Sequence, residues 1–103
     1  MKKIVISGSS TLQDKVNYWL EYFKNKNYII LDYPKLIKQE NYEKELPEVY
    51  EHFYSSLENT DIYFLMNEEK NGIKGYIGAS AIAELTYVVI LNLIHNKILK
   101  FIF

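Results

Sequence analysis

The chain has 103 residues, of which 49% are hydrophobic and 24% charged, with a formal net charge of -1. That length suits one domain, residues 1–103, around a single core, and the charge offers no electrostatic grip on a nucleic-acid polymer or an anionic membrane. There is no cysteine, which excludes disulfides, thiolate catalysis and cysteine-bound zinc.

The opening "MKKIVISGSS" has two lysines before an apolar run. The run is too short for a signal peptide and is broken by Gly8, Ser9 and Ser10. "KKIVIS" (Lys2–Ser7) reads instead as a buried β-branched strand, and the expected location is cytoplasmic. In "TLQDKVNYWLEYFKNKN", Leu12, Val16, Trp19, Leu20 and Phe23 recur at three- and four-residue steps. This is an amphipathic helix, with Ser9 or Ser10 expected as its N-cap. "YIILDYP" (Tyr28–Pro34) is a second strand stopped by proline, and Lys35–Asn41 is read as a loop.

"NYEKELPEVYEHFYSSLENT" carries Leu46, Val49, Tyr50, Phe53 and Leu57 at helical spacing, with Pro47 expected to open or kink the helix. "DIYFLMN" (Asp61–Asn67) is a third strand. After the loop "EEKNGIKGYIG", a helix is predicted from about Ser80 to Asn96, although "TYVVIL" is β-branched enough to pass for a strand. "ILKFIF" is a short fourth strand. The apolar stretch Ala79–Ile94 is interrupted by Glu84, Thr86 and Asn92, and so falls short of the roughly 18 consecutive apolar residues of a membrane span.

The order βαβαβαβ implies an α/β protein with a parallel sheet covered by helices on both faces. Right-handed crossovers make a doubly wound sheet of about four strands, order 2-1-3-4, the natural solution. Ligands of such sheets bind beyond the carboxyl ends of the strands, at the switch point between strands 1 and 3. "SGSS" and "MNEEKNGIKGYIGAS" meet there, each leading into a helix N-terminus that offers backbone N–H groups to a phosphate or carboxylate. Neither loop is a G-x-G-x-x-G or a P-loop. From Gly75 to Ile94 the only charged side chain is Glu84. Such a carboxylate on an apolar helix costs several kilocalories per mole unless it is hydrogen-bonded or faces a polar cleft; a plain helix-dipole role is the alternative.

The segment "NEEKNGIKGYIGASAIAEL", with "HFYSSLENTDIYFLMN" before it and "KIVISGSS" at the start, resembles the nucleoside 2-deoxyribosyltransferase-like family. "GYIGxSxxxE" is the most specific element of the likeness. The resemblance implies a flavodoxin-like fold and a glutamate, here Glu84, that attacks the anomeric carbon of a nucleoside or nucleoside 5′-monophosphate. A carboxylate nucleophile splits N-glycosidic cleavage into formation and breakdown of a glycosyl ester. Water as acceptor gives a hydrolase, and a second base gives a transferase. The position near a helix N-terminus is expected to keep Glu84 ionised.

Relatives place an aspartate on the second helix, where this chain has His52 and Phe53. A histidine there is suited to protonating the leaving base; a solvated residue beside Glu51 is the other reading. Relatives also place a tyrosine after strand 1 and an aspartate in the glycine loop, where this chain has "SGSS" and "YIG"; Tyr76 and Tyr87 are candidates to supply the missing hydroxyl. The expected substrate-binding residues are Gly8, Ser9, Ser10, Asn67, Tyr76, Gly78 and Ser80. No cofactor is expected. His52 and His95 lack the partners of a metal site, and His95 suits a helix C-terminus. Relatives are homo-oligomers, and a fifth strand common among them is not seen after "KFIF"; a homo-oligomer that covers the sheet edge is therefore expected. The competing reading is a non-catalytic nucleotide-binding or homo-oligomeric interaction module of the same fold.

Overall fold

Ile4, Val5, Ile6 and Ser7 are almost wholly withdrawn from solvent, and the sheet is assembled around them. In the computed structural model, which describes residues 1–37, 39–66, 79–94 and 100–102, strand β1 (Lys3–Ser7) lies between β2 (Ile29–Asp32) and β3 (Ile62–Leu65) and runs parallel to both. Three helices, α1 (Gln13–Asn25), α2 (Tyr42–Asn59) and α3 (Ala79–Ile94), supply the cover. The protein is α/β with a parallel sheet. A short run, β4 (Lys100–Ile102), is set alongside β3 with Ile62 opposite Lys100.

The two-residue period of the strands divides the core in two. Ile4, Ile6, Ile62 and Phe64 pack with Val16 and Phe23 of α1, together with Met66. Val5, Tyr63 and Leu65 point the other way, onto Phe53 and Leu57 of α2 and Val88 and Leu91 of α3. Helices therefore cover both faces. Each large apolar side chain so buried contributes about 1.5–3 kcal/mol.

The helix ends differ from expectation at one point and follow local chemistry at another. Neither Ser9 nor Ser10 caps α1. The cap position is Leu12, whose apolar side chain makes no cap bond, and the Ser9 hydroxyl is paired with the Thr11 hydroxyl at 2.9 Å. At the other end, Asn27 adopts φ 64°, a left-handed conformation that asparagine tolerates better than most side chains. Tyr28 N–H then reaches Phe23 C=O at 3.0 Å and Asn27 N–H reaches Lys24 C=O at 3.0 Å. This is a Schellman closure, completed by the Phe23 and Tyr28 rings stacked 5.5 Å apart.

Pro47 lies inside α2 rather than at its start, and the preceding loop holds a 3₁₀ turn over Gln39–Asn41. Despite its β-branched run, α3 is helical through Ile94. Its residues Glu84, Val88 and Leu91 fall at i, i+4 and i+7 and form one buried stripe.

The ladder between β1 and β2 is irregular. Ile4 is opposite Ile30, but Val5 is opposite Asp32, so Leu31 is an extra residue on β2. A bulge of this kind re-aims the side chains that follow it. Strict alternation from Ile30, which packs on the α1 face, would put Asp32 on that face too. The extra residue brings Asp32 level with Val5, which faces α2 and α3.

Candidate functional site

The carboxyl end of β1 is where the polar groups of the core gather. Ser7, the last residue of the strand, is 1% exposed, and its hydroxyl donates a hydrogen bond to Oε2 of Glu84 on α3. Glu84 is 8% exposed. Burial pushes its carboxyl up from 4.5 to about 7, the Ser7 hydrogen bond opposes that rise, and the negative charge of Asp32 adds to it. The expectation of a carboxylate kept ionised by the helix N-terminus is therefore not met. Glu84 is the sixth residue of α3, past the turn in which the dipole acts strongly, and desolvation dominates.

Asp32, at the end of β2, is 2% exposed. Its Oδ1 accepts from the Tyr33 backbone N–H at 2.8 Å and from Lys35 Nζ at 2.9 Å, while Oδ2 lies 2.6 Å from Nδ1 of His52. A buried carboxylate needs such partners, since unpaired charge in a core is strongly unfavourable. The bulge puts Asp32 within reach of α2, and Lys35 remains partly solvated over the Tyr33 ring, 4.9 Å from its centroid.

Three tyrosines border the cluster. Tyr63 is fully buried on the same face of the sheet as Ser7; burial raises the pKa of its phenol, and the Ser7 hydroxyl partly offsets that rise. Tyr54 is raised by burial and then by the charge of Glu84. Tyr54 meets Tyr87 edge to face at 4.9 Å, and the Tyr87 hydroxyl donates to Glu58 Oε1 at 2.6 Å. That engagement commits the Tyr87 hydroxyl to α2.

Of the residues singled out by sequence, Glu84 is at the centre of this cluster and His52 joins it through Asp32. Gly8 follows Ser7 directly with φ 152°, and a Cβ there would lie 2.7 Å from Met66 Cε, so only glycine fits without displacement. Ser9 is tied to Thr11. The carbonyl of Ser10 accepts from Gln13 Nε2 at 2.6 Å, and the same amide reaches Pro34 C=O at 3.3 Å. Gln13 thereby ties the loop after β1 to the segment after β2. Ser80 is the second residue of α3. Asn67, Tyr76, Gly78 and His95 lie outside the described residues. Ser7, Asp32 and Tyr63 were not singled out. A hydroxyl and a carboxylate closing two apolar strands are the signals that point to Ser7 and Asp32. Among the described residues no group of three or more acidic or histidine side chains is arranged to hold a metal ion, and no helix is long and apolar enough to cross a membrane.

No family model, curated protein or solved structure matches the chain.

Proposed function

We propose that the protein is a cytoplasmic, flavodoxin-like domain with sheet order 2-1-3-4, of the nucleoside 2-deoxyribosyltransferase-like kind. On this reading it cleaves or exchanges the N-glycosidic bond of a nucleoside or nucleoside 5′-monophosphate, with Glu84 as the nucleophile. The observation that carries it is the Glu84 carboxyl, buried on an apolar helix and hydrogen-bonded by Ser7 at the end of the central strand. Such a group is costly to the fold and is the kind of perturbed acid that marks reactive sites.

The proposed chemistry uses this geometry. Ser7 holds Oε2, which leaves Oε1 to approach the anomeric carbon. The attacking form is the carboxylate, so turnover should rise with pH as Glu84 ionises around 7. His52 is the proposed acid toward the leaving base. Gly8, Ser9 and Ser10, with Asn67, Tyr76, Gly78 and Ser80, are the proposed substrate loops. A homo-oligomer belongs to the same reading, supported by Val89 and Ile90 of α3, which are 38% and 39% exposed.

The test is a chromatographic assay for free base. Ribo- and deoxyribonucleosides and their 5′-monophosphates are incubated with wild type and with Glu84→Gln. Base released by wild type alone supports the reading. No release from any substrate, even with a second base as acceptor, and with both proteins folded, sinks it in favour of a non-catalytic binding module.

A further inference from the structure

Resting on the glycosidase reading, we infer that Asp32 is a positioning residue: it fixes the His52 ring so that the other ring nitrogen delivers a proton to the departing base. Three observations converge on this. The Asp32 carboxylate faces His52 Nδ1 at 2.6 Å, which suits an N–H donor and leaves Nε2 as the free end of the ring. The His52 side chain is 60% exposed whereas that of Asp32 is 2% exposed, so a fixed anion within the core holds a ring that is open to a ligand. Finally, the extra residue Leu31 turns Asp32 away from the α1 face and toward α2. A ladder without it would leave His52 unheld.

A surface histidine on a helix has many rotamers, and only some of them present Nε2 to a base. Holding one rotamer is the entropic part of catalysis by orientation.

In the step proposed, the Glu84 carboxylate forms the bond to the anomeric carbon as the C–N bond breaks. The electron pair of that bond goes to the base, and the proton leaves His52 Nε2 for a base nitrogen. In the second half, water attacks the anomeric carbon, the ester bond to Glu84 breaks with its pair returning to the carboxylate, and the water proton goes to His52. Asp32 keeps its charge throughout.

The experiment compares two leaving groups, 2′-deoxyadenosine and 4-nitrophenyl 2-deoxyriboside. The second departs as a stabilised phenolate that needs no proton. Asp32→Asn and His52→Asn are each expected to lower cleavage of deoxyadenosine by about a hundredfold, in line with loss of a general acid. The loss on the nitrophenyl substrate should be at least tenfold smaller. Equal losses on both substrates overturn the role of Asp32, since general damage to the site does not discriminate between leaving groups. Where wild type acts only on 5′-monophosphates, the 5′-phosphates of both substrates are used; failure of wild type to release base from any nucleoside or 5′-monophosphate overturns the glycosidase reading and this inference with it.

Should Asp32→Asn not fold, the wild type itself supplies a second readout. Long-range ¹⁵N–¹H correlation of labelled histidine, assigned with His52→Asn, should show a proton on Nδ1 of His52. A neutral ring carrying its proton on Nε2 alone overturns the proposal, because a bare Nδ1 cannot donate to Asp32.

Discussion

The two faces of the sheet are built from the same strands and differ in what they tolerate. On the α1 face the described core is apolar and aromatic throughout, with Trp19 4.8 Å and Phe23 5.0 Å from the ring of Phe64. On the α2 and α3 face an apolar cluster of similar size adjoins Ser7, Asp32 and Glu84, all buried near the carboxyl ends of the strands. The described core of the first face holds no buried carboxyl group. The second accepts two nearby carboxyl groups, one of them pushed up to about 7. Two close buried carboxyl groups cost the fold stability, and such perturbed acids cluster at reactive sites.

The sharpest way to break the comparison is Glu84→Gln. Turnover of any substrate found in the base-release assay should fall at least about a thousandfold, as for loss of a nucleophile, with the circular dichroism spectrum unchanged. On the opposite face, Phe23→Ala should cost about 3–5 kcal/mol of stability by urea unfolding. At temperatures where that variant is folded, kcat should stay within about threefold of wild type. A large loss of kcat would mean that the two faces are not separable.

Glu84→Gln also sharpens the contrast through stability. A carboxyl raised from 4.5 to about 7 in the fold contributes stability fully below about pH 4.5, and that contribution is lost as pH rises through 7. At pH 8 the ionised wild type should therefore be weaker than Glu84→Gln by up to about 3 kcal/mol. At pH 4 the two should unfold at nearly the same urea concentration. No pH dependence in the difference would show that burial does not govern this carboxyl. The smallest effect is Asn27→Ala, about 1 kcal/mol destabilising through the strained left-handed conformation, with no change in activity.

Much of this fold could be read from the chain because its signals are local. "IVI" within β1 and "IYFL" are continuous apolar runs, and Val16 and Phe23 lie two helical turns apart, so strands and helices fall where periodicity puts them. Glu84 stood out as the single charge in a long apolar stretch. What could not be read depends on tertiary contact. Alternation along β2 puts Asp32 on the wrong face, and only the pairing with β1 reveals the extra Leu31. Propensity favours Ser9 or Ser10 as the cap of α1, but the helix starts at Gln13, two residues beyond the Ser9–Thr11 hydroxyl pair. The raised proton affinity of Glu84 comes from burial beside Ser7 and among the helices around it, not from its place in the sequence.

Gln13 has a mechanical consequence. Its single amide spans the Ser10 and Pro34 carbonyls, so the loop after β1 and the segment after β2 are coupled across the rim of the sheet. A displacement of one is shared by the other, and the two lose freedom together rather than separately. A molecule settling on either segment meets a backbone already ordered by its neighbour, and so gives up less entropy on binding. The affinity of this rim for any ligand would thus be set in part by a side chain that has no need to touch it.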